Sequence, residues 1–196
     1  MKGIALVFIS LFCFGPLFSQ TSENCCVILS AAELTINGET NVNSFSCALR
    51  KTHINDTLTS SSSNELNTFE GIEISFQVKD FACGMEMMTE DFRELLKVES
   101  HPQIIVTIEE IELPENCGKN YSGPVKAKIK LYIANAEREQ IIEQASIHQI
   151  RQKTIFTGNY EVLMTSFNLV PPSRLFGAVQ AKDLIEIQFS IQMKQS

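Results

Sequence analysis

The cysteines and histidines are the residues of this chain best suited to chemistry, and their spacing narrows what that chemistry can be. Cys25 and Cys26 are adjacent, while Cys47, Cys83 and Cys117 follow at wide intervals. No Cys-x-x-Cys occurs, and His53, His101 and His148 are far apart in sequence, so the ligand spacings of structural zinc are missing. A reactive thiol needs a nearby cation or base to lower its pKa. Only Lys119 stands near Cys117, so an enzyme built on Cys25, Cys26 or Cys117 ranks last of three functional readings. There is no Gly-x-Ser-x-Gly, no His-Glu-x-x-His and no glycine-rich phosphate loop among only nine glycines. Glu109, Glu110, Glu112 and Glu115 straddle a strand end and the Pro114 loop, where a solvated face is expected rather than paired carboxylates or a calcium site. No catalytic residue, metal ligand or cofactor is assigned, and the chain is not expected to be an enzyme.

The elements that would position any site begin after residue 20. Lys2, the apolar run 4–14, the Gly15-Pro16 break and Leu17-Phe18-Ser19-Gln20 have the layout of a signal peptide over residues 1–20. The apolar run is too short for a spanning helix, and bulky Leu11 and Phe12 before Cys13 argue against acylation there. Residues 21–196 are then a single domain, periplasmic or secreted, with no transmembrane segment in the mature chain. The formal net charge of −7 removes nucleic acid as a partner, because phosphate contacts need clustered cations. In an oxidising compartment the five remaining cysteines are expected to form disulfides with at least one thiol left over.

Most of the mature sequence alternates apolar and polar residues with period two, as a strand with one buried face does. The alternation is strong over 72–78, 125–133 and 185–193, and weaker over 33–37, 41–50, 103–112, 139–150 and 154–165. Turn signals separate these eight strands at Asn37-Gly38, the 60–64 serine run, the 114–118 segment, Asn135-Ala136 and Pro171-Pro172. One segment reads as a helix of about ten residues. Thr89 caps it, Glu90 and Asp91 fall in its first turn, Phe92, Leu95 and Leu96 share a face, and His101-Pro102 ends it.

Eight long one-faced strands fit an antiparallel up-and-down β-barrel of lipocalin type, all-β with one short helix, better than a compact sandwich. The inward set is Ile, Val, Leu and Phe, so any lumen is dry and apolar. The predicted ligand-binding positions are Ile72, Ile74, Phe76, Val78, Ile104, Val106, Ile108, Ile129, Leu131, Phe156, Ile187 and Phe189. On any reading these are core, and only a continuous empty volume between them makes them a site.

The residues also resemble the YceI-like, lipid- or polyisoprenoid-binding family. The stretch VKDFACGMEMMTEDFRELLKVESHPQI (78–104) is similar to the family's strand, short helix and return strand. LTINGETNV (34–42) resembles its opening, and TSFNLVPPSRLFG (165–177) a late strand and loop, with Ser166-Phe167-Asn168 in place of the family's usual motif. The resemblance implies an exported barrel holding a polyisoprenoid or another amphiphilic lipid in its lumen, with no further cofactor.

Cys47 and Cys83 each follow an aromatic residue, Phe45 and Phe81, by two positions. This symmetry suggests a disulfide between neighbouring strands, with a turn near residue 65; free buried thiols are the alternative. The leading functional expectation is a non-enzymatic carrier, store or sequestering protein for an apolar lipid. The alternative is an interaction module of the cell envelope whose barrel core is filled. The oligomeric state is left open.

Overall fold

A computed structural model of the protein describes residues 24–61, 71–114 and 121–195, with side chains at 29–49, 71–114 and 121–194. The signal-peptide residues, Glu115, Cys117, Lys119 and most of the serine run lie outside the described residues. The strands are β1 (Asn24–Thr40), β2 (Ser44–Ser61), β3 (Ile72–Gln77), β4 (Gln103–Glu112), β5 (Ser122–Ile133), β6 (Ala136–Ile150), β7 (Lys153–Leu163), β8 (Ser173–Arg174) and β9 (Val179–Gln195). The helix α1 (Glu86–Leu95) lies between β3 and β4, and short 3-10 turns occupy Val78–Asp80 and Met164–Phe167.

All strand pairs are antiparallel, in the order β2-β1-β9-β7-β6-β5-β4-β3, so each long strand neighbours the next in an up-and-down circuit. Among the described residues this is the predicted all-β architecture of eight antiparallel strands and one short α-helix. A ninth strand, β8, is only two residues long, pairs with β9 and is too short to leave an alternation in the sequence. The circuit does not close by a ladder. Among the described residues, β2 is tied to the segment after β3 by one antiparallel bridge, Ala48 to Ala82, and by the Cys47–Cys83 disulfide, whose Cα atoms are 4.0 Å apart. The expected bond is thus present, but Cys83 lies beyond the end of β3 rather than in it.

Several expectations change. Asn37-Gly38 is not a turn: both residues lie within β1, opposite Ser46 and Phe45. Glycine is needed because the Phe45 ring covers it, and a Cβ there would stand 2.3 Å from Phe45 Cζ. The chain turns at 41–43 instead, where Thr40 Oγ1 accepts from the backbone N–H of Val42 and of Asn43. The β5–β6 hairpin turns on Ala134 and Asn135, both at positive φ, one residue earlier than Asn135-Ala136. Thr89 is no cap. It sits buried inside α1, where Oγ1 accepts from Cys83 N at 3.1 Å and donates to Met85 O at 3.0 Å. Val78 leaves β3 for a 3-10 turn while staying buried. Backbone pairing carries β1 back to Asn24, so Cys25 and Cys26 belong to a ladder with Ser60 and Thr59 rather than to a loose terminus.

The weak strand signals have a structural cause. In β4 the register slips between Ile108 and Glu110, so Ile108 and Ile111 are both buried although three residues apart. The same happens at Leu29 and Ala32 in β1. In β6, Ile142 and Ala145 are both buried opposite Ala127 and Val125. Bulges of this kind restart the alternation and bend the strand, which a curled sheet requires.

The core is aliphatic and phenylalanine-rich. Phe156 and Phe189 pack with ring centroids 5.0 Å apart, and the Phe189 ring lies over Gly158. On the outer face of β5, Lys128 and Lys130 both reach Glu109 on β4, at 3.0 and 3.2 Å. Lys128 and then Lys130 hold the Glu109 carboxyl below the usual carboxylate range. That part of the acidic cluster is therefore a strand-face ion network.

Two measurements test this account. Replacing Cys47 and Cys83 by alanine should lower stability by about 3 to 4 kcal/mol, the entropy of closing a loop of this size, read as a shift in urea midpoint. A shift under about 1 kcal/mol would show that the bond does not hold the seam. Gly158→Ala should cost about 1 to 3 kcal/mol, because its Cβ would meet the buried Phe189 ring at 2.5 Å. Gly38→Ala should cost less, since the half-buried Phe45 ring has room to move; equal costs would contradict the packing described.

Candidate functional site

α1 lies across one end of the barrel because several contacts pin it there. The chain leaves Cys83, already bonded to Cys47, through Gly84 at φ +82 and enters the helix, and Thr89 ties the first turn back to Cys83. Phe92 packs on Phe81 with ring centroids 5.2 Å apart, and Arg93 donates to Lys79 O at 2.7 Å. A second arm comes from the end of β7. There Asp183 of β9 accepts from Thr165 N at 2.9 Å and from Thr165 Oγ1 at 2.6 Å. Asn168 takes the left-handed conformation that ends the 3-10 turn.

Between these parts lies a cavity of about 390 Å³. α1 and the residues flanking it contribute Met85, Met87, Met88, Phe92, Leu95 and Leu96. The opposite wall is built from Ile36 of β1, Phe45 and Cys47 of β2, Ile104, Ile133 and the β9 residues Ala181, Ile185 and Ile187. Met164, Phe167 and Leu169 line the third side. The rim is apolar as well: Val42 and Leu175 are 66% and 72% exposed, and the neighbouring Phe176 is fully exposed at a positive φ in the β8–β9 turn.

The polar side chains on this wall are Thr40, Asn43, Asp91 and Arg174, and they satisfy one another. Thr40 Oγ1 donates to Asn43 Oδ1 at 2.6 Å. Arg174 Nε donates to Asp91 Oδ2 at 2.9 Å, and its Nη2 donates to Asp91 Oδ1, so a two-pronged ion pair joins α1 to β8. Such an arrangement suits enclosing an apolar body while meeting water with a small polar edge.

All twelve residues predicted from the sequence are buried. Only Ile104 and Ile187 lie on the cavity wall. Ile72, Ile74, Phe76, Val78, Val106, Ile108, Ile129, Leu131, Phe156 and Phe189 pack in the core away from it. Besides positions on or beside β1, β2, β5 and β9, such as Ile36, Phe45, Ile133 and Ile185, the wall residues outside the predicted set sit on the helix and on the 164–175 segment. The one sequence signal for them is the Met85, Met87, Met88 cluster, since methionine fills irregular apolar space.

No protein-family model and no curated protein matches the sequence. Solved structures do. A polyisoprenoid binding domain from Saccharophagus degradans, implicated in plant cell wall breakdown, is 8% identical with a TM-score of 0.60, covering 88% of this chain and 99% of that one. BcnA of Burkholderia cenocepacia is 14% identical with a TM-score of 0.59, covering 82% and 95%. The YCEI protein of Campylobacter jejuni is 13% identical with a TM-score of 0.52, covering 65% and 73%. With its antiparallel circuit and, among the described residues, a single α-helix, the chain has the YceI-like fold.

Proposed function

We propose that this chain is an exported, non-enzymatic protein that binds an apolar or amphiphilic lipid in the cavity beneath α1, as a carrier, store or sequestering protein. The observation that carries this reading is the cavity itself. Its volume of about 390 Å³ falls in the range of small-molecule sites, and its wall is hydrocarbon and thioether apart from two mutually satisfied polar pairs. Each methylene moved from water into such a site contributes about 0.8 kcal/mol, so binding needs little polar recognition. The fold shared with a domain named for polyisoprenoid binding points the same way. The titratable groups on the wall, Asp91 and Arg174, are engaged with each other rather than aimed at a reacting centre. Export is supported by the leader-like first twenty residues and by the Cys47–Cys83 disulfide, a bond that persists in oxidising compartments.

The test is native mass spectrometry of protein purified without detergent, followed by organic extraction. A stoichiometric lipid supports the proposal; a bare chain that also refuses added lipids favours the interaction module instead. Met88→Trp, which places an indole in the cavity from a half-buried helix position, should lower lipid occupancy at least tenfold. Lys128→Trp, on the outer face of β5, should leave occupancy unchanged. Equal effects would place the ligand elsewhere.

A further inference from the structure

We infer that the cavity takes one hydrocarbon chain of roughly sixteen carbons ending in an uncharged, oxygen-bearing head, and that the Asp91–Arg174 pair sets the head preference. This rests on the lipid-binding reading and narrows it to a ligand class.

The length follows from volume. An apolar cavity of about 150 Å³ accommodates a six-carbon ring, or about 25 Å³ per carbon. At that density 390 Å³ holds roughly sixteen carbons, and a polyprenyl chain of about forty needs more than twice the space. Neither Phe156 of β7 nor Phe189 of β9, whose tilted rings pack together in the core, lines the cavity.

The head preference follows from charge. Arg174 spends Nε and one terminal nitrogen on the two oxygens of Asp91, leaving the N–H groups of its other terminal nitrogen as donors. Its side chain is 55% exposed and that of Asp91 19%, so the pair stands at the mouth with the carboxylate on the sheltered side. A hydroxyl or ester oxygen accepts from the remaining donors without disturbing the pair. A carboxylate head must either sit beside the Asp91 carboxylate, where like charges oppose it, or displace it from Arg174. The intact pair therefore discriminates against anionic heads, and removing Asp91 leaves an unneutralised guanidinium that favours them.

The experiment measures displacement of a bound apolar dye from the full chain by 1-alkanols of graded length, and by hexadecanol against hexadecanoate at a pH where the acid is ionised. Affinity should rise about fourfold per methylene up to roughly sixteen carbons and then flatten. Hexadecanoate should bind at least tenfold more weakly than hexadecanol, and Asp91→Asn should shift that ratio toward the acid by at least tenfold. Arg174→Gln provides an independent reading by raising hexadecylamine affinity at least tenfold relative to hexadecanol, because Asp91 is then unpaired. An affinity that keeps climbing beyond about twenty carbons overturns the length. Ratios unchanged in both variants overturn the role of the pair. Failure of every alkanol to bind overturns the lipid-binding reading itself, a different result from either.

Discussion

An antiparallel sheet curled on itself has two end strands, and the way they meet governs everything at the mouth of this barrel. Unpaired strand edges expose backbone donors and acceptors to any passing strand. Here β2 and the segment after β3 meet at one place. Ala48 N donates to Ala82 O at 2.9 Å, Ala82 N donates to Ala48 O at 3.1 Å, and the Cys47–Cys83 disulfide stands beside them. The same few residues carry the sheet end, the glycine bend at Gly84 and the anchor for Thr89. Holding the seam therefore also holds α1 over the open end, and α1 supplies a large share of the cavity wall.

The cavity exists because two departures from regular strand structure face each other. On one side the chain leaves β3 through a 3-10 turn and becomes a helix instead of crossing directly to β4. On the other, β7 ends in a second 3-10 turn fastened by Asp183 and runs through Pro171 and Pro172 to β8. Farther along the strands, large inward side chains of neighbouring strands pack on one another, as Phe156 of β7 does on Phe189 of β9. At the mouth the helix supplies flexible methionines, and the space between them is open to a ligand.

Much of the scaffold was legible from residue order. The alternations over 72–78, 125–133 and 185–193 mark β3, β5 and β9 because each sets one face against a common core, a local pattern that pairing only reinforces. The Cys47 and Cys83 pairing was legible for a related reason. The bridge of Ala48 to Ala82 sits one step inside the cysteines on an antiparallel register, so both halves of the bond lie opposite each other about the same midpoint.

Sequence by itself determined the fold class, the presence of a helix and the apolar interior, since each depends on residue type at a short, regular spacing, and it suggested the disulfide through a symmetric pair. Tertiary structure alone decided where the strands slip register, why Gly38 lies under Phe45 instead of in a turn, and which end of the barrel stays hollow. The cavity wall draws on segments from residue 36 to residue 187 that share no period, and the Asp91–Arg174 pair joins residues 83 positions apart. Alternation reports which side chains turn inward. Whether inward side chains meet or leave a gap depends on how far apart the packed elements stand, a distance that no single strand encodes.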